Sequence, residues 1–300
     1  MQIQVKTPAK INLILEILKK RDDGFHDIQS IMQAVSLYDY LNIEVEEVGN
    51  EQNIIELSGN SDQIPYDKTN LVYKAAVLFL QKANLTGFNI KIHIEKNIPV
   101  AAGLAGGSSN AAGALWGLNR IFENILSSSE IHELASQMGS DINFCLEGGT
   151  QITTSRGEIL SRISTPDLNI VIIKPKNLFI SAKEAYTKWD FTVTNRTVIL
   201  SDRLERENLS GVAVLIDSRG ASLLRMTMSL RNHLEDAIIP DYPEIQEIKD
   251  YLMQKGCKNA LMSGSGPSVF GIYEGEFDLS DAKSDWDCFK AKTIDFGISS

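Results

Sequence analysis

Basic side chains are in the minority in this sequence. Lysine and arginine total 29 against 39 aspartates and glutamates, a formal charge of −10. A chain this acidic has no basic field to hold a phosphate backbone, which argues against nucleic acid as a partner. An anionic ligand has to be drawn in by local positive groups instead. Cysteine is also scarce: Cys145, Cys257 and Cys288 stand far apart and form no C-x-x-C pair. That spacing suggests neither a zinc site nor a disulfide framework, and it fits a reducing compartment. The opening Met1-Gln2-Ile3-Gln4-Val5-Lys6 has no apolar core of signal-peptide length. No uninterrupted apolar run approaches the ~20 residues that span a bilayer. The expectation is a cytoplasmic protein with no membrane partner. Repeats and low-complexity tracts are missing too. The rest is ordinary: 300 residues, 43% hydrophobic and 23% charged, are enough for one large or two modest domains.

Glycine is concentrated in one place. Pro99-Val100-Ala101-Ala102-Gly103-Leu104-Ala105-Gly106-Gly107-Ser108-Ser109-Asn110-Ala111-Ala112 lies between a strand pattern and a helix pattern. Gly103, Gly106 and Gly107 permit positive φ and let the backbone approach a ligand closely. Ser108 or Ser109 suits the N-cap of a helix running to about Phe122. Unpaired N–H groups and the positive dipole end make a helix N-terminus an anion site, here read as a cradle for nucleotide phosphates. The stretch lacks the Gly-Lys-Ser/Thr ending of a Walker A loop. It also lacks the G-x-G-x-x-G spacing of a dinucleotide fold, so hydride chemistry fits poorly. A flexible surface turn is the plainer reading, but an ordinary turn needs only one or two glycines.

Alternation predicts strands over 11–17, 41–48, 52–57 and, most clearly, 88–94, where Phe88, Ile90, Ile92 and Ile94 share one face. Further strands are predicted over 151–154, 168–173 and 268–273, with a weak one in the tail. Helices are predicted from a Thr69 cap to about Ala83, from Ser128 or Ser129 to Met138, and from Ser222 to about Ala237. Another runs from Pro243 to Lys255, with Ile245, Ile248, Leu252 and Met253 as its apolar stripe. Residues 190–220 give no assignment. This mixture predicts an α+β fold with a domain boundary near 150–165.

Four smaller features could carry chemistry, and each also admits a plain structural role. Lys10 in Pro8-Ala9-Lys10-Ile11-Asn12-Leu13 could be a solvated strand-end lysine. Phe25 and His26 follow the turn signal Asp23-Gly24 and could stack on a planar ring or cap a hairpin. Asp141 stands just past a helix end, where an aspartate often caps or turns the chain. Ser263-Gly264-Ser265-Gly266-Pro267 could be a second anion nest or a tight strand-entry turn.

Taken together, these stretches resemble the GHMP kinases, whose three motifs occur in this order. Pro8 to Leu13 looks like the first motif, Pro99 to Ala112 like the ATP-phosphate loop, and Met262 to Ser268 like the third. The resemblance implies a two-domain fold: an N-terminal mixed-sheet nucleotide-binding domain over 1–155 and a C-terminal ferredoxin-like α/β sandwich over 156–300. It implies an ATP-dependent kinase with Lys10 and Asp141 as the catalytic pair. Pro99, Ala101, Gly103, Leu104, Ala105, Gly106, Gly107, Ser108, Ser109 and Asn110 would bind ATP, with Ser108 or Ser109 reaching Mg²⁺. Asp23 to Ser30, Gly139 to Thr150 and Pro240 to Tyr273 are similar to the branch of the family whose alcohol carries a cytidine diphosphate group. Asn12, Phe25, His26, Tyr186, Gly264, Ser265 and Gly266 would then bind a small-molecule substrate of that kind, with Tyr186 stacked on cytosine. Phe25, Ala182 and Asn143 stand where that branch usually has Tyr, Thr and Pro. Either a monomer or a homodimer is compatible. A kinase of another small alcohol and a non-catalytic nucleotide-binding regulator remain the other readings.

Overall fold

The first 47 residues form one long antiparallel hairpin, β1 (Gln2–Lys20) and β2 (His26–Glu47). Gly24, at φ +85°, turns the chain between them. Alternation exposes only part of these strands, because every residue of β1 from Thr7 to Ile17 is buried. A strand covered on both faces loses its polar half. The computed structural model describes residues 1–49, 52–197 and 230–300.

β2 is long enough to serve two neighbours. Its outer half pairs with β4 (Phe88–Glu95), which carries the parallel edge strand β3 (Ile54–Gly59). Ser30 to Gln33 pair instead with β5 (Thr150–Thr154), and β5 pairs with β6 (Ile159–Ile163), a strand with no sequence signal. β8 (Arg231–Asn232) adds to the free side of β1, completing a mixed seven-stranded sheet.

Helices α1 (Leu71–Lys82), α2 (Gly106–Ile121), α3 (Ser128–Met138) and α4 (Ser140–Glu147) share one apolar core with this sheet. α2 lies flat on the hairpin because Gly113 and Gly117 face it. A Cβ at Gly113 would sit 2.4 Å from Thr7 Cγ2, and one at Gly117 2.6 Å from Ile43 Cδ1. Asn70, not Thr69, caps α1 by accepting from Val72 N, while Thr69 is bonded to Asp67. α3 is capped by Ser127, one residue earlier than expected, in a reciprocal box with Glu130.

The second sheet is wholly antiparallel, ordered β11 (Trp286–Lys292), β7 (Asn169–Pro175), β10 (Val269–Tyr273), β9 (Asn259–Met262). α5 (Ala182–Thr197), α6 (Glu235–Ile238) and α7 (Pro243–Gln254) accompany it. α7 buries Ile245, Ile248 and Leu252 against Val171, Ile173 and Val269. Met253 is not part of that stripe. It is 49% exposed, because it lies one residue (~100°) past Leu252 around the helix. The helix expected over 222–237 is replaced at its described end by β8 and α6, and 222–229 lie outside the described residues. Of 190–220, positions 190–197 continue α5 and the remainder lies outside them.

A third core joins the two sheets. Ala9, Ile11, Leu13 and Ile14 of β1 meet Ile170 and Ile172 of β7 and Phe270 and Ile272 of β10, with Leu104 beside them. Among the described residues, no helix is long and apolar enough to cross a membrane.

Candidate active site

Lys10 and Asn12 project from the same face of β1, two residues apart. Register shifts at Pro8/Ala9 and Asn12/Ile14 bracket them, irregularities of the kind that re-aim side chains. Lys10 is 5% exposed. Its Nζ donates to Asn12 Oδ1 at 2.7 Å, Asn12 Nδ2 donates to Ser30 Oγ at 2.8 Å, and Ser30 Oγ donates to the Ile14 carbonyl at 2.6 Å. This chain fixes which end of the Asn12 amide faces the lysine. Lys10 Nζ also lies 3.7 Å from Asp141 Oδ2.

Asp141 is more than a residue past a helix end. Gly139, extended at φ 166°, closes α3 and opens α4 at once, so Asp141 falls in the first turn of α4. A carboxylate there is favoured by the helix dipole. Its charge reaches two neighbours: the Cys145 thiol and the Tyr186 hydroxyl are pushed up, first by burial and then by Asp141.

α2 begins earlier than expected and without a serine cap. Ala105, left-handed at φ 56°, occupies the N-cap and offers no side-chain bond. Ser109 cannot serve, because its buried hydroxyl donates to the Pro8 carbonyl at 2.7 Å. The first helical bond runs from Ser109 N to Ala105 O. The first-turn amides of Gly106, Gly107 and Ser108 therefore have no acceptor within the helix.

Two devices hold the loop that delivers them. The first is the fully buried Asp39. One carboxylate oxygen accepts from Asn97 N and Ile98 N, each at 2.7 Å. The other accepts from Lys96 Nζ and, at 2.9 Å, from Asn110 Nδ2. The loop is thus tied at both ends, just before and just after its glycines. The second device is the docking of the two glycine segments. Ser263 Oγ donates to the Gly103 carbonyl at 3.0 Å. A Cβ on Gly264 would lie 3.1 Å from Gly103 O and 3.2 Å from Lys10 Nζ. Asn232 of β8 fixes the second loop, donating to the Met262 and Gly264 carbonyls at 2.8 and 2.7 Å.

These parts surround one cleft of about 790 Å³. Lys10, Asn12, Phe25, His26, Gly103, Ala105, Ser108, Asp141, Tyr186, Gly264 and Ser265 all line it. Pro99, Ala101, Leu104, Gly106, Gly107, Ser109, Asn110 and Gly266 do not line it, and of these Ala101 and Gly107 are exposed. Leu104 belongs to the third core, Asn110 to the Asp39 clamp, and Gly266 backs onto Met262.

The end of the cleft away from α2 is aromatic and cationic. The His26 and Tyr186 rings stack at 5.0 Å and 23°. Phe25 is 56% exposed, with the Arg156 guanidinium 5.1 Å above its ring. Lys20 and Lys183 add positive charge there. Asp190 bridges Lys20 and His26. Burial works against its charged form, yet bonds from Lys20 and His26 hold its carboxyl below the usual range. The sequence does not point to Lys20, Arg156, Asp190, Asp39 or Asn232, because each finds its partners far along the chain.

Two family models match the chain: the GHMP kinases N terminal domain over residues 70–149 and the GHMP kinases C terminal over 213–292. The 4-diphosphocytidyl-2-C-methyl-D-erythritol kinase of Caldicellulosiruptor saccharolyticus is 40% identical over 279 residues, covering 93% of this chain and 90% of that protein. The chain belongs to the GHMP kinase family. This GHMP kinase is also similar to the 4-diphosphocytidyl-2-C-methyl-D-erythritol kinase of Bacillus subtilis, at 38% identity over 92% of this chain and 90% of that one. A crystal structure of 4-(cytidine 5'-diphospho)-2C-methyl-D-erythritol kinase matches with a TM-score of 0.73 and 27% identity, covering 98% of this chain and 99% of that one. A homoserine kinase from Cytophaga hutchinsonii shares the fold at a TM-score of 0.70 and 17% identity, over 99% and 96% of the two chains. As a GHMP kinase the protein is a phosphotransferase acting on a small molecule, with ATP as the phosphoryl donor.

Proposed function

We propose that this GHMP kinase transfers the γ-phosphoryl group of ATP to the 2-hydroxyl of 4-diphosphocytidyl-2-C-methyl-D-erythritol, a step in non-mevalonate isoprenoid precursor synthesis. The observation that carries the reading is the Lys10–Asp141 pair, 3.7 Å apart. It sits between an amide-lined helix start on one side and a stacked His26–Tyr186 pair on the other. One side suits phosphate, and the other suits a planar base with polar edges.

The first-turn amides of Gly106, Gly107 and Ser108 would receive the phosphate tail of ATP. Asp141 would orient the acceptor hydroxyl and take its proton. A carboxylate is a weak base for an alcohol, which matters little in a loose transition state with late proton transfer. Lys10 opposes the charge on the transferring group and faces the Asp141 carboxylate. At ~4 Å and an effective dielectric of ~20 their attraction is about 4 kcal/mol, less for a carboxylate in contact with water. Ser108 and Asp141 present oxygen donors, the ligand type Mg²⁺ takes beside phosphate oxygens. Bound with ATP, Mg²⁺ would neutralise charge on the phosphoryl oxygens. Lys20, Arg156 and Lys183 would meet the diphosphate of the alcohol.

The test is a coupled ADP-release assay with 4-diphosphocytidyl-2-C-methyl-D-erythritol, mevalonate, homoserine and galactose. Turnover of the cytidylyl alcohol at kcat/KM at least ~10²-fold above the others is expected. Preference for any of the other three contradicts the assignment.

A further inference from the structure

The helix that carries Asp141 is fixed firmly at one end only. At its last turn a Cβ on Gly297 would lie 2.4 Å from the Leu146 carbonyl oxygen and 2.5 Å from that of Cys145, so the tail of the chain lies directly against the backbone of α4. Its first turn has no such support. Gly139, the N-cap, offers no side-chain bond. Among the described residues no hydrogen bond holds the Asp141 carboxylate, which meets Lys10 at 3.7 Å.

Four polar side chains make up the difference. His132 and Ser136 share one face of α3, and Asn143 and Glu147 share one face of α4. The Ser136 hydroxyl donates to the His132 carbonyl at 2.9 Å, and its oxygen accepts from Asn143 Nδ2 at 2.8 Å. That turns the Asn143 amide oxygen to His132 Nδ1, 2.9 Å away. An amide oxygen only accepts, so Nδ1 donates. The other ring nitrogen lies 2.8 Å from Glu147 Oε1. Asn143 is 7% exposed, which leaves its amide little water as an alternative partner. α3 is a firm base for these bonds, since Ser127 and Glu130 box its start and Ile131, Leu134 and Ala135 are buried.

We propose that Asn143, held by His132 and Ser136, is a positioning residue that sets the Asp141 carboxylate against Lys10 and the acceptor hydroxyl. This deepens the reading of Asp141 above and rests on it. Asp141 stands two residues before Asn143, about 200° around the helix and so on the opposite side. The bonds that draw Asn143 toward α3 therefore turn Asp141 away from α3, toward Lys10. At a radius of about 5–6 Å, a rotation of about 10° moves the carboxylate by about 1 Å. A misplacement of that size costs on the order of 10²-fold in rate.

The experiment measures kcat and KM for wild type, Asn143→Leu, His132→Phe and His132→Asn, with ATP and the alcohol turned over fastest in the ADP-release assay. Leucine and phenylalanine keep the bulk and remove the bonds. The amide of His132→Asn puts an N–H where Nδ1 stands and is the conservative control. kcat should fall at least ~10-fold in Asn143→Leu and His132→Phe, with KM for ATP unmoved, and stay within about threefold of wild type in His132→Asn. In an Asp141→Asn background neither Asn143→Leu nor His132→Phe should lower kcat more than about twofold further, because the group they aim is already gone. Crystal structures of both single variants should show the Asp141 carboxylate displaced by about 1 Å. His132→Phe, at a partly exposed ring, carries the test if Asn143→Leu does not fold. Equal losses with and without the Asp141 carboxylate would make the four side chains a general brace and overturn the proposal. So would wild-type kcat in His132→Phe, or an Asp141 that has not moved. If Asp141→Asn itself turns over at the wild-type rate, the reading of Asp141 fails by itself, and the crystal structures still decide whether Asn143 sets its carboxylate.

Discussion

Position 103 has no room for a side chain. Its φ is +74°, and a Cβ there would lie 2.0 Å from the Ser263 carbonyl oxygen. Gly103→Ala must therefore push the two glycine loops apart. It should destabilise the protein by about 1–3 kcal/mol in denaturant unfolding and weaken ATP binding. Gly107 is the contrast, because a Cβ there meets only Leu71 Cδ1, at 4.0 Å. Gly107→Ala should leave the unfolding midpoint where it is. Lys10 is the residue whose role the sequence leaves most open, and burial closes the question of a solvated strand end. An ammonium 5% exposed beside Asp141 and Asn12 is held there against its desolvation cost. Lys10→Ala should lower kcat at least ~10²-fold while the protein still folds. A fall in melting temperature with kcat retained would reduce Lys10 to a structural part.

At the scale of elements, the segment joining β8 to α6 carries a buried histidine whose titration is linked to folding. His233 stacks on Trp189 at 5.3 Å, and its Nδ1 accepts from Ile17 N at 3.0 Å. Burial, helped by the Arg231 charge, pushes its pKa down to about 4 from 6.5. Between those values the unfolded chain binds the proton and the folded chain does not, so stability falls as pH drops from about 6.5 toward about 4. His233→Asn keeps an acceptor for Ile17 and removes the titration. Melting curves from pH 7 to pH 4 should therefore be flatter for that variant than for wild type. Legibility also differed by element. β4 and α7 were readable, because each keeps one face wet and its period survives in the sequence. β1 and β2 were readable only in part, since residues covered on both sides show no alternation. The local pattern misplaces the start of α2 for a tertiary reason: Ser109 gives its hydroxyl to Pro8, a contact that no local pattern contains.

For the molecule as a whole, the site lies where the two sheets meet. β1 contributes Lys10 and Asn12 on a strand whose apolar residues are shared with β7 and β10. The two glycine loops, one before α2 and one between β9 and β10, touch across that seam. The motifs were legible because their residue types are costly anywhere else. The supports were not: Asp39 is joined to Asn110 across 71 positions and Asn232 to Gly264 across 32, and such pairings exist only once the chain is folded. The account stands on Asp141 acting on the acceptor hydroxyl at this seam. The direct measurement is kcat for ADP release from ATP and 4-diphosphocytidyl-2-C-methyl-D-erythritol in Asp141→Asn beside wild type, with KM for ATP recorded in parallel. The account predicts a loss in kcat of at least ~10²-fold with KM for ATP little changed. Turnover at the wild-type rate in Asp141→Asn would contradict it.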